Sequence, residues 1–175
     1  MQRLHRQAHR YASARGAGPQ VPGSPAVTSR VLIVDDEPAN VLLLESMLAE
    51  QPDLEVKTVT DSRLAEREFL DFEPDIVLLD LHMPKPDGIE ILTSLRSLRE
   101  SLGFLPVVVL TGDTTRLARN SALVLGADDF LLKPLDREEV LLRVRNLLHT
   151  RRLYTELASA KEALEQHEGE LRKGS

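Results

Sequence analysis

The chain has 175 residues, 42% of them apolar and only 3% aromatic, with no cysteine. It can bury a real core, but disulfide scaffolds, thiolate-ligated zinc, iron–sulfur clusters and thiol catalysis are excluded. Its 22 Lys and Arg against 28 Asp and Glu leave a net charge of -6, which argues against a globally basic, nucleic-acid-binding protein.

Residues 1–29 hold Arg3, Arg6, Arg10 and Arg15 and no acid, so this segment is +4 and the rest of the chain is -10. Gly16, Gly18 and Gly23 fall among Pro19, Pro22 and Pro25, without apolar periodicity, which reads as a disordered basic tail. Its composition also resembles a transit peptide or a basic arm, but a solvated extension needs no further feature. From Arg30 the pattern changes. Arg30–Val34 is a β-branched apolar run, and Val41, Leu44, Met47 and Leu48 then recur at helical spacing after Pro38. Glu55–Thr60 reads as a second strand, and Asp61 as the cap of a helix carrying Leu64, Phe69 and Phe72. Asp75–Leu79 is a third strand. Gly88–Leu102 is a helix with Ile91, Leu92, Leu95, Leu98 and Leu102 on one face, stopped by Gly103. Pro106–Leu110 is a fourth strand, followed by a helix from Asp113 through Val124 that Gly126 ends. Asp129–Leu132 is a fifth strand, and Asp136 with Glu139 forms a capping box for a last helix.

Strands alternating with helices predict an α/β fold with a doubly wound, five-stranded parallel sheet covered on both faces. The longest uninterrupted apolar runs, such as Val31–Val34, Ile76–Leu79 and Val107–Leu110, are four residues, far below the roughly 20 of a membrane span. No membrane association is expected.

Ligands of such sheets bind outside the carboxyl ends of the strands. The first strand ends in Asp35-Asp36, the third in Asp80, the fourth in Thr111 and the fifth in Lys133. Clustered carboxylates disfavour one another's ionised forms unless a cation neutralises them, and Mg²⁺ takes carboxylates, waters and a phosphate oxygen. Lys133 then supplies fixed positive charge to a phosphoryl group, and Thr111 a hydrogen-bond donor. Each residue alone reads equally as a turn or cap residue, and Lys133 before Pro134 as a strand terminator. Four strand ends agreeing favour a site.

In these motifs the chain resembles the receiver domain of two-component response regulators, over residues 30–150. Asp35-Asp36-Glu37-Pro38, the stretch DLHMPKPDG from Asp80 to Gly88, Thr111-Gly112, and Gly126-Ala127 leading to Lys133-Pro134 carry the resemblance. It implies a flavodoxin-like strand order 2-1-3-4-5, a cytoplasmic location and, as partner, a histidine kinase or histidine phosphotransfer protein. Asp80 is implied as phosphoacceptor. Asp36 and Asp80 are implied as direct Mg²⁺ ligands, Asp35 as a ligand through water, and His82 as a ligand through its backbone carbonyl. Lys133 would pair with the phosphoryl group, with a cis bond to Pro134. Thr111 would swing toward the phosphoryl group and let Phe130 turn inward, although Phe130 by itself reads as a core aromatic. The face of the fourth helix, fifth strand and fifth helix is implied as the output and homodimer surface. Pro86 stands where the motif often has an apolar or small residue. His82 and Asp113 occupy positions that in this family tune how long the phosphoryl group persists.

Residues 151–175 are too few for an independent nucleic-acid-binding domain. Leu153, Leu157, Ala160, Leu164, His167 and Leu171 alternate by four and three, a heptad pattern of under three repeats that fits either a coiled-coil dimer or a frayed amphipathic extension. In the preceding helix Val140, Leu141, Val144, Leu147 and Leu148 face the sheet, out of phase with that pattern. The segment resembles helices that join receivers to cyclic-di-GMP enzymes or kinase-type modules, which would make the chain a fragment of a longer regulator. Two other classes compete with a phosphorylation switch. A phosphorylation-independent dimerisation or adaptor domain would not need the acidic pocket. A haloacid-dehalogenase-type phosphatase would need an acid two residues after Asp80, where His82 stands.

Overall fold

Five short strands form one parallel sheet in the order β2-β1-β3-β4-β5 in the computed structural model, which describes residues 28–112 and 123–173. The strands are β1 Ser29–Val34, β2 Leu54–Val59, β3 Ile76–Asp80, β4 Val107–Thr111 and β5 Asp129–Leu132. Their ends differ from the expected ones by one residue at most. The helices are α1 Pro38–Leu48, α2 Ala65–Phe72, α3 Gly88–Leu102 and α4 Arg137–Lys173. The tail over 1–27, the start of the helix expected from Asp113, and Gly174-Ser175 lie outside the described residues, so the fifth expected helix is labelled α4.

Period-two alternation along continuous apolar strands feeds a core on each face of the sheet. Leu32, Val34, Val77, Leu79, Val107 and Val109 pack with Phe69 of α2 and Ile91, Leu92 and Leu95 of α3. The intervening Val31, Ile33, Ile76, Leu78, Val108 and Leu110 pack on the other face with Leu44 and Met47 of α1 and Val140, Val144 and Leu148 of α4. Burying a side chain such as Phe69 or Leu44 contributes about 2 kcal/mol each.

The helix starts follow local chemistry. Pro38 occupies the first turn of α1, where a missing N–H costs nothing. Asp87 and Glu90 make a reciprocal capping box at the start of α3, which was not expected from the sequence. Asp136 accepts a hydrogen bond from the Glu139 N–H at 2.9 Å, as expected of an N-cap. Asp61 differs from expectation. Its carboxylate accepts from the Arg63 N–H at 3.1 Å and closes a 3₁₀ turn over Ser62–Leu64, and α2 begins only at Ala65. The tighter turn changes the phase, so Leu64 is exposed and Ala65, Phe69 and Phe72 face the core. Gly103 (φ 74) ends α3, and Gly126 (φ 109) follows helical Leu123-Val124, both in the left-handed region that glycine tolerates.

Helix α4 is one unbroken element of 37 residues, so the expected boundary at Thr150 falls inside it. Just past that point it is still tied to the body of the fold. The Arg151 guanidinium donates to the Phe104 carbonyl at 2.6 Å, and the Tyr154 ring stacks on Phe104 with centroids 4.9 Å apart. Among the described residues no helix is long and apolar enough to cross a membrane.

Candidate functional site

The parallel register brings the polar strand ends to one rim. Asp80, the last residue of β3, lies beside Leu110 of β4, and Thr111, the last of β4, lies beside Leu132 of β5. One residue on, the Lys133 N–H donates to the Thr111 carbonyl at 2.9 Å. Asp35 leaves β1 with its N–H on the Val59 carbonyl at 3.2 Å. Asp35, Asp80 and Thr111 are all buried, which is unusual for such groups unless they are paired.

The Lys133 ammonium bridges the acids, 2.9 Å from Asp35 Oδ2 and 2.9 Å from Asp80 Oδ1. Burial pulls the lysine pKa down, but the close contacts of its ammonium with the Asp80 and Asp35 carboxylates, and their negative charges, outweigh it, and the pKa ends above the ordinary lysine value. Lys133 is therefore a permanent cation at neutral pH. Asp35 is held from the other side by the Glu37 N–H at 2.9 Å and by the Asn40 amide, which spans both carboxylate oxygens at 3.2 and 3.1 Å.

One carboxylate oxygen from each of Asp35, Asp36 and Asp80 lies within 4.8 Å of the others. Asp80 Oδ1 is buried, and among the described residues it faces the Lys133 ammonium but accepts no aligned hydrogen bond. An all-oxygen donor set with a spare buried acceptor fits a hard divalent cation such as Mg²⁺. Asp35, Asp36, Glu37, Asn40, Asp80, His82, Gly112 and Lys133 line an open cleft of about 450 Å³ above these acids. His82 is exposed in that cleft, so its imidazole is placed beside the acids without being buried among them.

Three sequence expectations thus meet in space: the acid trio, Lys133 and the end of β4. The Lys133–Pro134 bond is cis as expected, and Lys85–Pro86 is cis as well. Phe130 is half-buried on β5 opposite Val109. Asp113 lies outside the described residues.

Of the residues that hold the loop after Asp80, sequence reasoning named Gly88 only as the end of a motif and missed Ser62. The Gly88 N–H donates to the Leu81 carbonyl at 3.3 Å, and a Cβ at Gly88 would stand 2.1 Å from the Asp80 carbonyl oxygen. Ser62 Oγ, buried behind the 3₁₀ turn, donates to the Pro84 carbonyl at 3.1 Å. The Ser62 contact has no sequence signal, because it depends on how two loops meet. Asn40 had a partial one, lying in the first turn of a helix that starts three residues after Asp35.

A family model described as the response regulator receiver domain matches residues 31–145. Among curated proteins the chain is similar to the transcriptional regulatory protein TrcR of Mycobacterium tuberculosis, 39% identical over 126 residues, 72% of this chain and 46% of TrcR. It is also similar to the alkaline phosphatase synthesis transcriptional regulatory protein PhoP of Bacillus subtilis, 36% identical over 122 residues, 70% of this chain and 49% of PhoP. The chain spans about half the length of these curated relatives. Among solved structures it resembles the Vibrio cholerae chemotaxis protein CheY4, with TM-score 0.63 and 26% identity over 69% of this chain and 98% of that one.

Proposed function

The chain belongs to the response regulator receiver domain family of two-component systems, and from that premise we propose that it accepts a phosphoryl group on Asp80 from a histidine kinase or a histidine phosphotransfer protein. The observation that carries this reading is the placement of one lysine ammonium 2.9 Å from both buried carboxylates, Asp35 and Asp80, at the floor of an open cleft.

An Asp80 carboxylate oxygen attacks phosphorus, the bond from phosphorus to the donor histidine nitrogen breaks with its electron pair going to nitrogen, and an acyl phosphate forms. Lys133 turns from the Asp80 carboxylate to the transferred phosphoryl oxygens, where its fixed charge stabilises the transition state. Thr111 donates a hydrogen bond to one of those oxygens. Asp36, Asp80 and the His82 carbonyl would hold Mg²⁺, with Asp35 beside them, and the ion would supply positive charge against the carboxylates and the phosphoryl group. Water attack on phosphorus returns Asp80 to its free form.

The phosphoryl group adds about two negative charges. Drawing Thr111 toward it lets Phe130 move inward and repacks the surface around β5 and the start of α4, so that two chains pair or an output module is released. The switch works through this face and the C-terminal helix, without direct contact to nucleic acid. The protein is placed in the cytoplasm, where such a kinase would present its phosphohistidine.

Incubating the chain with acetyl phosphate and Mg²⁺ is expected to add one phosphoryl group by intact mass, and Asp80→Asn is expected to add none. Equal labelling of the variant, or an unlabelled wild type, would defeat the reading.

A further inference from the structure

Each residue turns a helix by about 100°, so the faces of α4 can be assigned from spacing. Val140, Val144 and Leu148 are buried against the sheet, and Arg151 bonds the Phe104 carbonyl. These form one stripe, turned toward the receiver. Leu153, Leu157, Ala160 and Leu164 form a second stripe roughly half a turn away. Its leucines are left in solvent, 52%, 68% and 60% exposed at 153, 157 and 164. The receiver cannot block that stripe, because α4 is fixed by its opposite side.

We propose that the second stripe pairs with the same stripe of a second copy, parallel and in register, as a short two-stranded coiled coil that begins at Leu153. This deepens the pairing named above and rests on it, but it does not require phosphoryl transfer.

Charge favours this occupant and this direction. With Leu153 and Ala160 at d, and Leu157 and Leu164 at a, Glu156 falls at g and Lys161 at e. In a parallel in-register pair, Glu156 of one chain faces the partner subunit's Lys161, and two-fold symmetry repeats the contact. An antiparallel pair opposes g to g and e to e and loses both contacts. Within its own helix, Lys161 has Glu165 only at 3.8 Å, and both are exposed. Such a pair contributes little, so the ammonium is available to the partner. Length points the same way. Residues 156–168 are exposed except for half-buried Ser159, and a free helix of that length is marginal in water without a packed face. The Tyr154–Phe104 stack and the Arg151 bond hold the base of the helix on the receiver, so pairing sets the two receivers side by side.

The chain has no cysteine, which makes cross-linking unambiguous. Leu157→Cys and Leu164→Cys, each introduced into the whole 175-residue chain and oxidised, are both expected to give covalent dimers on a non-reducing gel. An antiparallel pair can oppose at most one of these positions to itself, so a dimer from only one, or from neither, overturns the proposal. Glu156→Lys and Lys161→Glu are each expected to weaken association roughly tenfold by sedimentation, and mixing the two variants to restore it. A mixture as weak as the single variants overturns the register. Phosphoryl gain from acetyl phosphate, followed by mass on the same samples, separates the two readings: cross-linking with no phosphoryl gain defeats phosphoryl transfer alone.

Discussion

Replacing Lys133 with alanine is expected to lower the stability of the metal-free chain by about 3 kcal/mol and to slow phosphoryl gain at Asp80 by roughly 100-fold. The stability effect follows from what the lysine leaves behind. Its side chain is 23% exposed, but the two carboxylates it bridges are 0% and 3% exposed. Without it, two buried like charges face each other, and among the described residues the Asn40 amide and the Glu37 N–H are left to disperse the charge on Asp35. Mg²⁺ is expected to recover part of the loss, since a divalent cation in the acid trio replaces the missing charge.

The pH dependence has a definite sign. The Lys133 pKa in the folded chain lies above the ordinary lysine value. Its contribution is therefore complete below about pH 10, the range of an unfolded lysine, and is lost as pH rises through the raised folded value. The gap between wild type and Lys133→Ala should stay flat from about pH 6 to pH 9 and close in strong base. Urea unfolding of both proteins across that range, with and without Mg²⁺, measures each part. A loss below about 1 kcal/mol would mean that the acids are solvated and the ion pair is peripheral.

The elements most legible in the sequence were those set by burial. A strand covered on both faces has to be apolar at every position, so Val31–Val34, Ile76–Leu79 and Val107–Leu110 announced themselves, and the polar residues after them, Asp35, Asp80 and Thr111, marked the rim. Asp35, Asp80 and Lys133 came together as expected because parallel register aligns strand ends. Local competition was harder to read. Asp61 had the composition of an α-helix cap, and its side chain does accept from the N–H two residues on, but the turn it opens is 3₁₀, with the Leu64 N–H on the Asp61 carbonyl at 2.9 Å. The helical character of residues 151–171 was legible from their spacing, and α4 runs through Thr150 without a break. The Phe104–Tyr154 stack was not legible at all, since it joins residues from a loop and a helix that share no pattern.

Gly88→Ala is expected to destabilise the chain by about 3 kcal/mol, near the upper end of steric substitutions, and to slow phosphoryl gain as well. The reason is contact rather than conformation. A Cβ at position 88 would stand 2.1 Å from the Asp80 carbonyl oxygen and 2.5 Å from the Leu81 Cα, and both are backbone atoms that cannot rotate away. Either α3 moves off the sheet, losing the packing of Ile91, Leu92 and Leu95, or the backbone at Asp80 shifts and takes its carboxylate out of line with Lys133. Gly103→Ala is the informative control. That glycine has φ 74 but no atom within 4 Å of an added Cβ, so its replacement should cost about 2 kcal/mol of backbone strain alone and leave phosphoryl gain unchanged. Denaturant unfolding of the two variants, alongside acetyl phosphate labelling, compares steric with conformational cost in one chain. If both lose the same stability and keep the same labelling rate, the close approach at Asp80 is not what selects glycine at position 88. The rigidity of the loop behind Asp80 would then rest on the Ser62–Pro84 bond and the Asp87–Glu90 capping box.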